Sequence, residues 1–268
     1  MNDCAPTSIP LSSGLTLLGE DCPKSSEDIS EMTNIPYQEA FGTIMWLQVA
    51  TRPDLLYAVQ VLSRFAHNPA KSHWNALKYV MFYIKGTLNY EITYEGDGNL
   101  NPIGYVDLDY TGCKNSRKLT EDNVFIVAGG PVSWECKQQG TVALSTVETQ
   151  YMGFTYTTTQ AIWLTKFFSE IGLPAQLPIK IFADNKRSIA NTTNGKNHQR
   201  IKHIDVKYHF TKQQMEARAI TFEYTPSSTN LADIFTKPLP QDTLRGIVNK
   251  LGLIPEGLHQ SRGYVDMD

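Results

Sequence analysis

The sequence predicts an α/β protein: a mixed five-stranded sheet flanked by helices and preceded by a small helical unit. Two observations predict this class. Apolar residues recur at helical spacing within 36–95 and at strand spacing after residue 102. The second part then runs in the order three strands, long helix, strand, helices, strand and terminal turn or helix, which is typical of helices layered on a mixed sheet. Because connections from a strand through a helix to a parallel strand are right-handed, only a few topologies fit this order of elements.

The N-terminal third divides into an arm and a helical unit. Residues 1–35 are rich in Ser, Pro, Thr, Asp and Glu with little periodicity, which predicts a flexible arm. Three amphipathic helices are expected in 36–95: one from Pro36, one from Pro53 to about Asn68, and one from about Ser72 to Gly86. Apolar stripes of this kind nearly always form a core. A polar, glycine-bearing stretch after Tyr94 marks a boundary.

The strands and helices of the second part follow in order. Gly129-Gly130 separates the second and third strands and indicates a hairpin. Gly172 ends the long helix that follows. The strands are predicted at Ile103–Leu108, Val124–Ala128, Val132–Lys137, Ile179–Ala183 and Ile220–Tyr224. The helices are predicted at Thr146–Ile171, Asn185–Asn191 and Ile204–Ala217, with a terminal turn or helix at Thr229–Phe235.

Three aspartates come at or after the ends of strands. Asp107 ends the first strand, Asp184 follows the fourth, and Asp233 follows the last. Because the carboxyl ends of parallel strands meet at one edge of a sheet, these carboxylates are expected to converge there. Clustered carboxylates suit Mg²⁺ or Mn²⁺. Each one alone is better explained as a solvated cap or turn residue, and Asp184-Asn185 is also a helix-capping pattern.

Several spaced motifs resemble successive signatures of copia-type retrotransposon polyproteins. They include T-R-P-D-L-L-Y-A-V-Q-V-L-S-R-F, P-V-S-W, V-A-L-S-T-V-E-T-Q-Y, A-D-N, K-H-I-D-V-K-Y-H-F and L-A-D-I-F-T-K-P-L. The resemblance implies that 1–35 is the end of a reverse transcriptase, 36–95 a connection region, 102–253 a ribonuclease H–like domain and 254–268 a tail. Family members cut the RNA of RNA/DNA hybrids with four acidic residues and two Mg²⁺ ions. Asp107, Asp184 and Asp233 match the first, third and last of those acids.

The second acid of the family pattern is missing. The family has a glutamate where this chain has Gln150 on the long helix. Glu148 lies two residues away, a rotation of about 200° that places it on nearly the opposite face. A glutamine offers a neutral carbonyl oxygen but no charge. We therefore expect a weakened metal site, with Glu148 a surface residue. A second departure is Lys118–Asp122, where the family has small residues and glycine.

Basic residues gather between the fourth and fifth strands. The chain as a whole has a net charge of −3, so nucleic acid must bind to a local patch if it binds at all. The residues predicted to contact it are Lys186, Arg187, Arg200, Lys202, His203 and Lys207. A solvated helix face explains the same residues equally well, and the resemblance favours phosphate contacts.

Two functions from different classes remain open. One is a Mg²⁺- or Mn²⁺-dependent ribonuclease acting on RNA/DNA hybrids, impaired by Gln150. The other is an inert remnant that binds nucleic acid or protein, with docking to a reverse transcriptase core as a further alternative. The N-terminus carries no signal pattern and no run of about 18 apolar residues occurs, so we expect an intracellular protein, in a cytoplasmic particle or the nucleus. The sequence predicts no oligomeric state.

Overall fold

The structure, a computed structural model, describes residues 4–96, 99–107, 120–138, 146–194 and 202–257. Its N-terminal part is helical, as expected. The side chain of Ser25 accepts a hydrogen bond from the Asp28 N–H and caps the first helix, and the His73 ring accepts one from the Ala70 N–H at the start of the fourth. The helices are α1 (Ser26–Thr33), α2 (Tyr37–Ala50), α3 (Leu56–Ser63) and α4 (Lys71–Gly86).

The second part contains the predicted sheet. Its strands are β2 (Ile103–Asp107), β3 (Thr120–Val127), β4 (Gly130–Gln138), β5 (Ile179–Ala183) and β6 (Ile220–Tyr224); a short β1 (Tyr90–Ile92) precedes them. The strand order in the sheet is β4-β3-β2-β5-β6. Strands β2 to β4 are antiparallel neighbours, whereas β5 runs parallel to β2 and to β6. The helices are α5 (Thr146–Glu170), α6 (Lys186–Asn194), α7 (Lys202–Glu216), α8 (Asp233–Thr236) and α9 (Gln241–Lys250), and β7 (Leu253–Pro255) follows. The predicted mixed five-stranded sheet with flanking helices is confirmed.

The hairpin between β3 and β4 lies one residue earlier than the sequence indicates. Val127 pairs with Gly130, so Ala128 and Gly129 form the turn, with φ of 49° and 79°. Two positive φ values suit the twist of a two-residue hairpin. Gly130 is needed for a different reason, since a Cβ there would lie 2.7 Å from the Tyr94 ring.

The sheet separates two hydrophobic cores. On one face, α5 packs through Phe154, Ala161, Leu164 and Phe168. On the other face, Val124 and Ile126 of β3 join a core that contains the helical unit, α8 and α9. Asp233 therefore belongs to an element held between the sheet and the helical unit.

Four elements were not expected from the sequence: α1, α9, and the strands β1 and β7, which pair with each other. The segment from Cys4 to Leu11 also lies against helices. Thr7 donates its N–H to the Phe82 carbonyl at 3.3 Å, and Lys85 donates to the Cys4 carbonyl at 2.7 Å. Leu11 is buried in the core of the helical unit. The division into arm, connection region, domain and tail remains a prediction.

None of the helices in the described part of the chain combines the length and the apolar character needed to cross a membrane.

Candidate metal centre

The three predicted aspartates converge at one edge of the sheet. Because β2 and β5 are parallel, with Val106 paired to Ala183, Asp107 and Asp184 leave the sheet at the same edge. Asp233 begins α8, which follows β6. One carboxylate oxygen from each aspartate lies within 4.8 Å of the other two. The structure thus brings together three residues that are far apart in sequence.

Burial and mutual repulsion govern the charge of this cluster. Asp107 and Asp233 are buried, and Asp184 is half-buried. Burial, followed by the charges of Asp184 and Asp233, raises the pKa of Asp107 to about 8, and a contact with Thr236 offsets part of the rise. Without a cation, Asp107 is therefore protonated at neutral pH. A bound divalent ion would remove the repulsion and favour three ionised carboxylates.

Two side chains hold the carboxylates of Asp184 and Asp233 in place. The Ser227 hydroxyl donates to Oδ2 of Asp184 at 2.7 Å. The Lys237 ammonium lies 2.8 Å from Oδ2 of Asp233 and forms an ion pair. The other oxygen of Asp233, Oδ1, is buried with no hydrogen-bond partner among the described residues. A buried, unpaired carboxylate oxygen beside two further carboxylates fits a hard divalent cation such as Mg²⁺ or Mn²⁺.

Gln150 and Glu148 both lie in the first two turns of α5, as the sequence predicts. Their side chains lie outside the described part of the structure. The expectations that Gln150 stands at the second acidic position, and that Glu148 faces away from it, therefore stay predictions.

The predicted nucleic-acid contacts fall on α6, on α7 and in the segment of sequence between them. Lys186 and Arg187 are exposed at the start of α6, next to Asp184 in sequence, and the Lys186 ammonium lies 4.3 Å from the centre of the Tyr224 ring. Lys202, His203 and Lys207 belong to α7, but their side chains lie outside the described residues, as does Arg200 entirely. Tyr224 was not anticipated, because its proximity to Lys186 depends on the pairing of β5 with β6.

The substituted segment Lys118–Asp122 is described only from residue 120, the start of β3. Asp122 is fully buried there, beside Cys136 of β4. Burial, and then the nearby Asp122 carboxylate, raise the pKa of the Cys136 thiol far above its usual range. The Asp122 side chain therefore lies in the interior rather than in an exposed loop.

Asn230 positions two of the three aspartates and was not found from the sequence. It is fully buried. Its Nδ2 donates to the Val106 carbonyl at 3.0 Å, and its Oδ1 accepts the Ala232 N–H at 3.2 Å. Val106 and Ala232 directly precede Asp107 and Asp233. The Asn230 side chain thus joins the end of β2 to the start of α8.

Replacing Asn230 with Ala is expected to destabilise the protein by about 1–3 kcal/mol, because a buried carbonyl and a buried N–H lose their partner. It should also weaken Mn²⁺ binding, since Asp107 and Asp233 lose their common support. Urea unfolding and Mn²⁺ titration measure the two effects. Asn101→Ala is the matched control, because the Asn101 side chain also makes two hydrogen bonds, both with Gln176, at the surface. Equal effects of the two substitutions would contradict this role.

Comparisons with known proteins bear on the whole chain. No family model matches it. It is similar to the retrovirus-related Pol polyprotein from transposon TNT 1-94 of Nicotiana tabacum, with 36% identity over 265 residues, 97% of this chain and 19% of that protein. It is also similar to the secreted RxLR effector protein 161 of Plasmopara viticola, with 46% identity over 134 residues, 50% of this chain and 94% of that protein.

Among solved structures, the fold is similar to LC11-RNase H1, isolated from compost by a metagenomic approach. The TM-score is 0.38 and the identity 14%, over 51% of this chain and 92% of that chain. The chain spans about a fifth of the length of the tobacco polyprotein, with 19% covered.

Proposed function

The chain belongs to the retrovirus-related Pol polyproteins of copia-type transposons, and we propose that its ribonuclease H–like domain slowly hydrolyses the RNA strand of RNA/DNA hybrids. The proposal is carried by one observation: three carboxylates from separate elements gather within 4.8 Å at the edge of the sheet. The site residues are Asp107, Asp184 and Asp233, with Gln150 at the position of the second acid.

A divalent ion bound by the three aspartates would polarise a phosphoryl oxygen and activate a water for attack on the phosphodiester. The chain's own residues prepare the site for this. Asp107 contributes a carboxylate that becomes ionised when the cation binds, and Ser227 fixes the orientation of Asp184. Lys186 and Arg187, exposed beside the acidic edge, are available to hold the phosphates of a hybrid, together with Arg200, Lys202, His203 and Lys207.

The charge of the cluster favours one cation over two. Three aspartates supply three negative charges, and the Lys237 ammonium, 2.8 Å from Asp233, offsets one of them. In the substrate-free site the remaining charge matches one divalent ion, whereas two such ions would leave an excess of positive charge. Gln150 adds an oxygen but no charge to this balance. Slow hydrolysis follows, because in-line displacement is fastest when separate ions stabilise the attacking and leaving oxygens.

A second candidate function is a catalytically inert module that still binds nucleic acid. Gln150 favours it, since the loss of one negative charge weakens the affinity for a second cation. In either case a reverse transcriptase core is a candidate partner. The exposed basic residues of α6 serve both functions, so hybrid binding alone does not distinguish them.

Gln150→Glu is expected to raise hybrid cleavage about tenfold or more, because it restores the fourth carboxylate. The measurement is the cleavage rate of a labelled RNA/DNA hybrid in Mg²⁺ and in Mn²⁺. The matched control is Gln213→Glu, which adds the same charge at an exposed position of α7. Measurable cleavage by the unaltered chain that Asp107→Asn eliminates supports the enzyme. Hybrid binding with no cleavage in any variant supports the inert module.

A further inference from the structure

An apolar stripe crosses the exposed side of the C-terminal half of α5. Trp163 and Phe167 are 55% and 43% exposed, and their rings stack with centroids 5.5 Å apart. Ile171 continues the stripe one turn later, at 52% exposure. The stripe ends with Leu173 and Leu177, which follow the helix and are 45% and 54% exposed.

The stripe lies beside the face by which α5 packs on the sheet, and Ile171, about 80° around the helix from Trp163, is at the border between them. At about 100° per residue, Phe167 lies about 40° around the helix from Trp163, whereas the buried Leu164 and Phe168 lie about 100° and 140° from it. A contiguous exposed apolar surface of this kind marks an interaction site more often than scattered single residues do.

The helix end makes the stripe rigid. Gly172, with φ of 80°, donates its N–H to the Ser169 carbonyl, and Leu173 donates to the Phe168 carbonyl. This pair of bonds is a Schellman motif, in which glycine takes the left-handed position. The chain therefore turns sharply after Ile171 and brings Leu173 to the end of the helix.

We propose that a second copy of this chain covers the stripe, in an antiparallel α5–α5 pair centred on Phe167. In that arrangement Trp163 of each copy lies opposite Ile171 of the other, and the two Phe167 rings meet at the two-fold axis. A two-fold interface of this kind is self-complementary, so one patch serves both copies.

The charges beside the stripe support this occupant. Lys166 and Glu170 are exposed and lie on the same flank, about 60° and 20° from Trp163. Neither forms an ion pair within the described part of the chain. In an antiparallel pair centred on Phe167, Glu170 of one copy lies about 3 Å along the helix axis from Lys166 of the other, within reach of the long lysine side chain, so the two copies can form two such pairs. This charge complementarity favours a second copy as the occupant of the stripe.

The apolar area of the stripe is small compared with the area that a stable protein–protein interface buries. Aromatic side chains bury about 150–250 Å² each when fully covered, so five half-exposed apolar side chains offer on the order of 400 Å² per copy. A stable interface buries roughly 800 Å² per partner. An interface of this size is typical of weak, transient association, so we expect a reversible dimer with a Kd on the order of 10–100 μM.

The dimer leaves the candidate metal centre open. Leu177 lies just before β5, whereas Asp184 follows the other end of the same strand. The stripe and the acidic cluster thus lie at opposite edges of the sheet. Dimer formation can be tested without disturbing Asp107, Asp184 or Asp233, and it does not depend on the proposed ribonuclease activity.

The test is sedimentation velocity of the full chain from about 1 to 200 μM, a range that brackets the expected Kd. We expect a concentration-dependent shift from monomer to dimer. Phe167→Lys should weaken the dimer at least about tenfold, and Trp163→Lys similarly. Trp46→Lys is the matched control, because Trp46 is a still more exposed tryptophan, at 72%, on α2. It should change the Kd less than about twofold.

A charge swap tests the antiparallel arrangement itself. Lys166→Glu should weaken the dimer, since it places two carboxylates opposite each other. Combining it with Glu170→Lys should restore the original affinity. A chain that stays monomeric at every concentration overturns the proposal, as does a dimer that Phe167→Lys leaves intact. Failure of the double variant to recover overturns the antiparallel pairing. Unchanged far-ultraviolet circular dichroism shows that each variant is folded.

Discussion

Asp107→Asn is expected to weaken divalent-cation binding strongly and, at the same time, to stabilise the cation-free protein at neutral and alkaline pH. Both effects have one cause, the position of Asp107 among Asp184 and Asp233. A neutral amide retains the size of the carboxylate but lacks the charge that binds the cation. We expect the Mn²⁺ affinity to fall by about 100-fold or more, since loss of a ligand exceeds the 10- to 100-fold effect of losing its supporting contact.

The stability effect follows from the raised pKa of Asp107, which moves from 3.8 to about 8 through burial and two neighbouring carboxylates. Between these two values the folded protein holds a proton that the unfolded chain releases. Stability therefore falls as pH rises from about 4 to about 8, and the loss is complete above the folded-state pKa. The amide introduced by Asp107→Asn does not titrate, so the variant avoids this loss, and its advantage over the unaltered protein is largest above pH 8.

Thermal unfolding in the presence of a chelator, from about pH 5 to about pH 9, measures this difference. The control is Asp242→Asn, which removes an exposed carboxylate at the start of α9 and tests whether the loss of any one carboxylate gives the same difference. Titration with Mn²⁺ at each pH supplies an independent check. Affinity of the unaltered protein should rise with pH up to about 8, because the cation displaces the Asp107 proton. Parallel pH profiles for the unaltered protein and Asp107→Asn would contradict the assignment.

The fold was predictable because most of its elements carry local signals. Ile179–Ala183 and Ile220–Tyr224 are short apolar runs between polar segments, and their predicted bounds match β5 and β6. The long helix α5 was likewise found from its periodicity and from Gly172. The hairpin was displaced by one residue because Ala128, a residue without an evident turn preference, takes a positive φ next to Gly129.

Elements that depend on distant partners were not predictable. β1 and β7 have three residues each and are strands only because they pair with each other across most of the chain. Helix α9 buries Leu244, Ile247 and Val248 in the core that contains the helical unit. Because this tertiary packing stabilises the helix, the local sequence alone did not predict it. The same reason explains why Leu11, in a segment expected to be flexible, is part of the core.

The residues of the candidate site were likewise predictable only in part. Asp107, Asp184 and Asp233 were found because strand order predicts which strand ends meet. Asn230 and Ser227 were missed, since their partners, Val106 and Asp184, are 124 and 43 residues away. A sequence indicates which residue types suit a cation, whereas the supporting hydrogen bonds depend on the folded geometry.

The second large effect is expected at Arg52, whose replacement by Ala should destabilise the protein by about 3–5 kcal/mol. Its guanidinium makes two hydrogen bonds with the Asp54 carboxylate, at 2.9 and 2.7 Å, and both side chains are almost completely buried. Arg52 also donates to the carbonyl and the hydroxyl of Thr87, and Tyr83 donates to Asp54 at 2.8 Å. Without Arg52, the Asp54 carboxylate is left buried with no countercharge.

Urea unfolding of three variants separates the charge from the packing. Asp54→Ala should be about as damaging as Arg52→Ala, because a buried guanidinium is then left alone. Changing Arg52 to Met together with Asp54 to Leu should recover only part of the stability, since it removes both buried charges but leaves the Thr87 carbonyl and the Tyr83 hydroxyl without these partners. The exposed pair of Lys71 and Glu31, 4.0 Å apart, is the control, and Lys71→Ala should change stability by less than about 1 kcal/mol.

The Arg52 variants also connect the helical unit with the candidate metal centre. Asp233 begins α8, whose Ile234 and Phe235 are buried in the core that the helical unit provides. If Arg52→Ala loosens that core, α8 loses its support and Mn²⁺ affinity should fall with stability, although no ligand has changed. The double variant with Met and Leu should recover part of both together. Recovery of stability without recovery of Mn²⁺ affinity would mean that the ion pair, rather than the packed core, sets the position of Asp233.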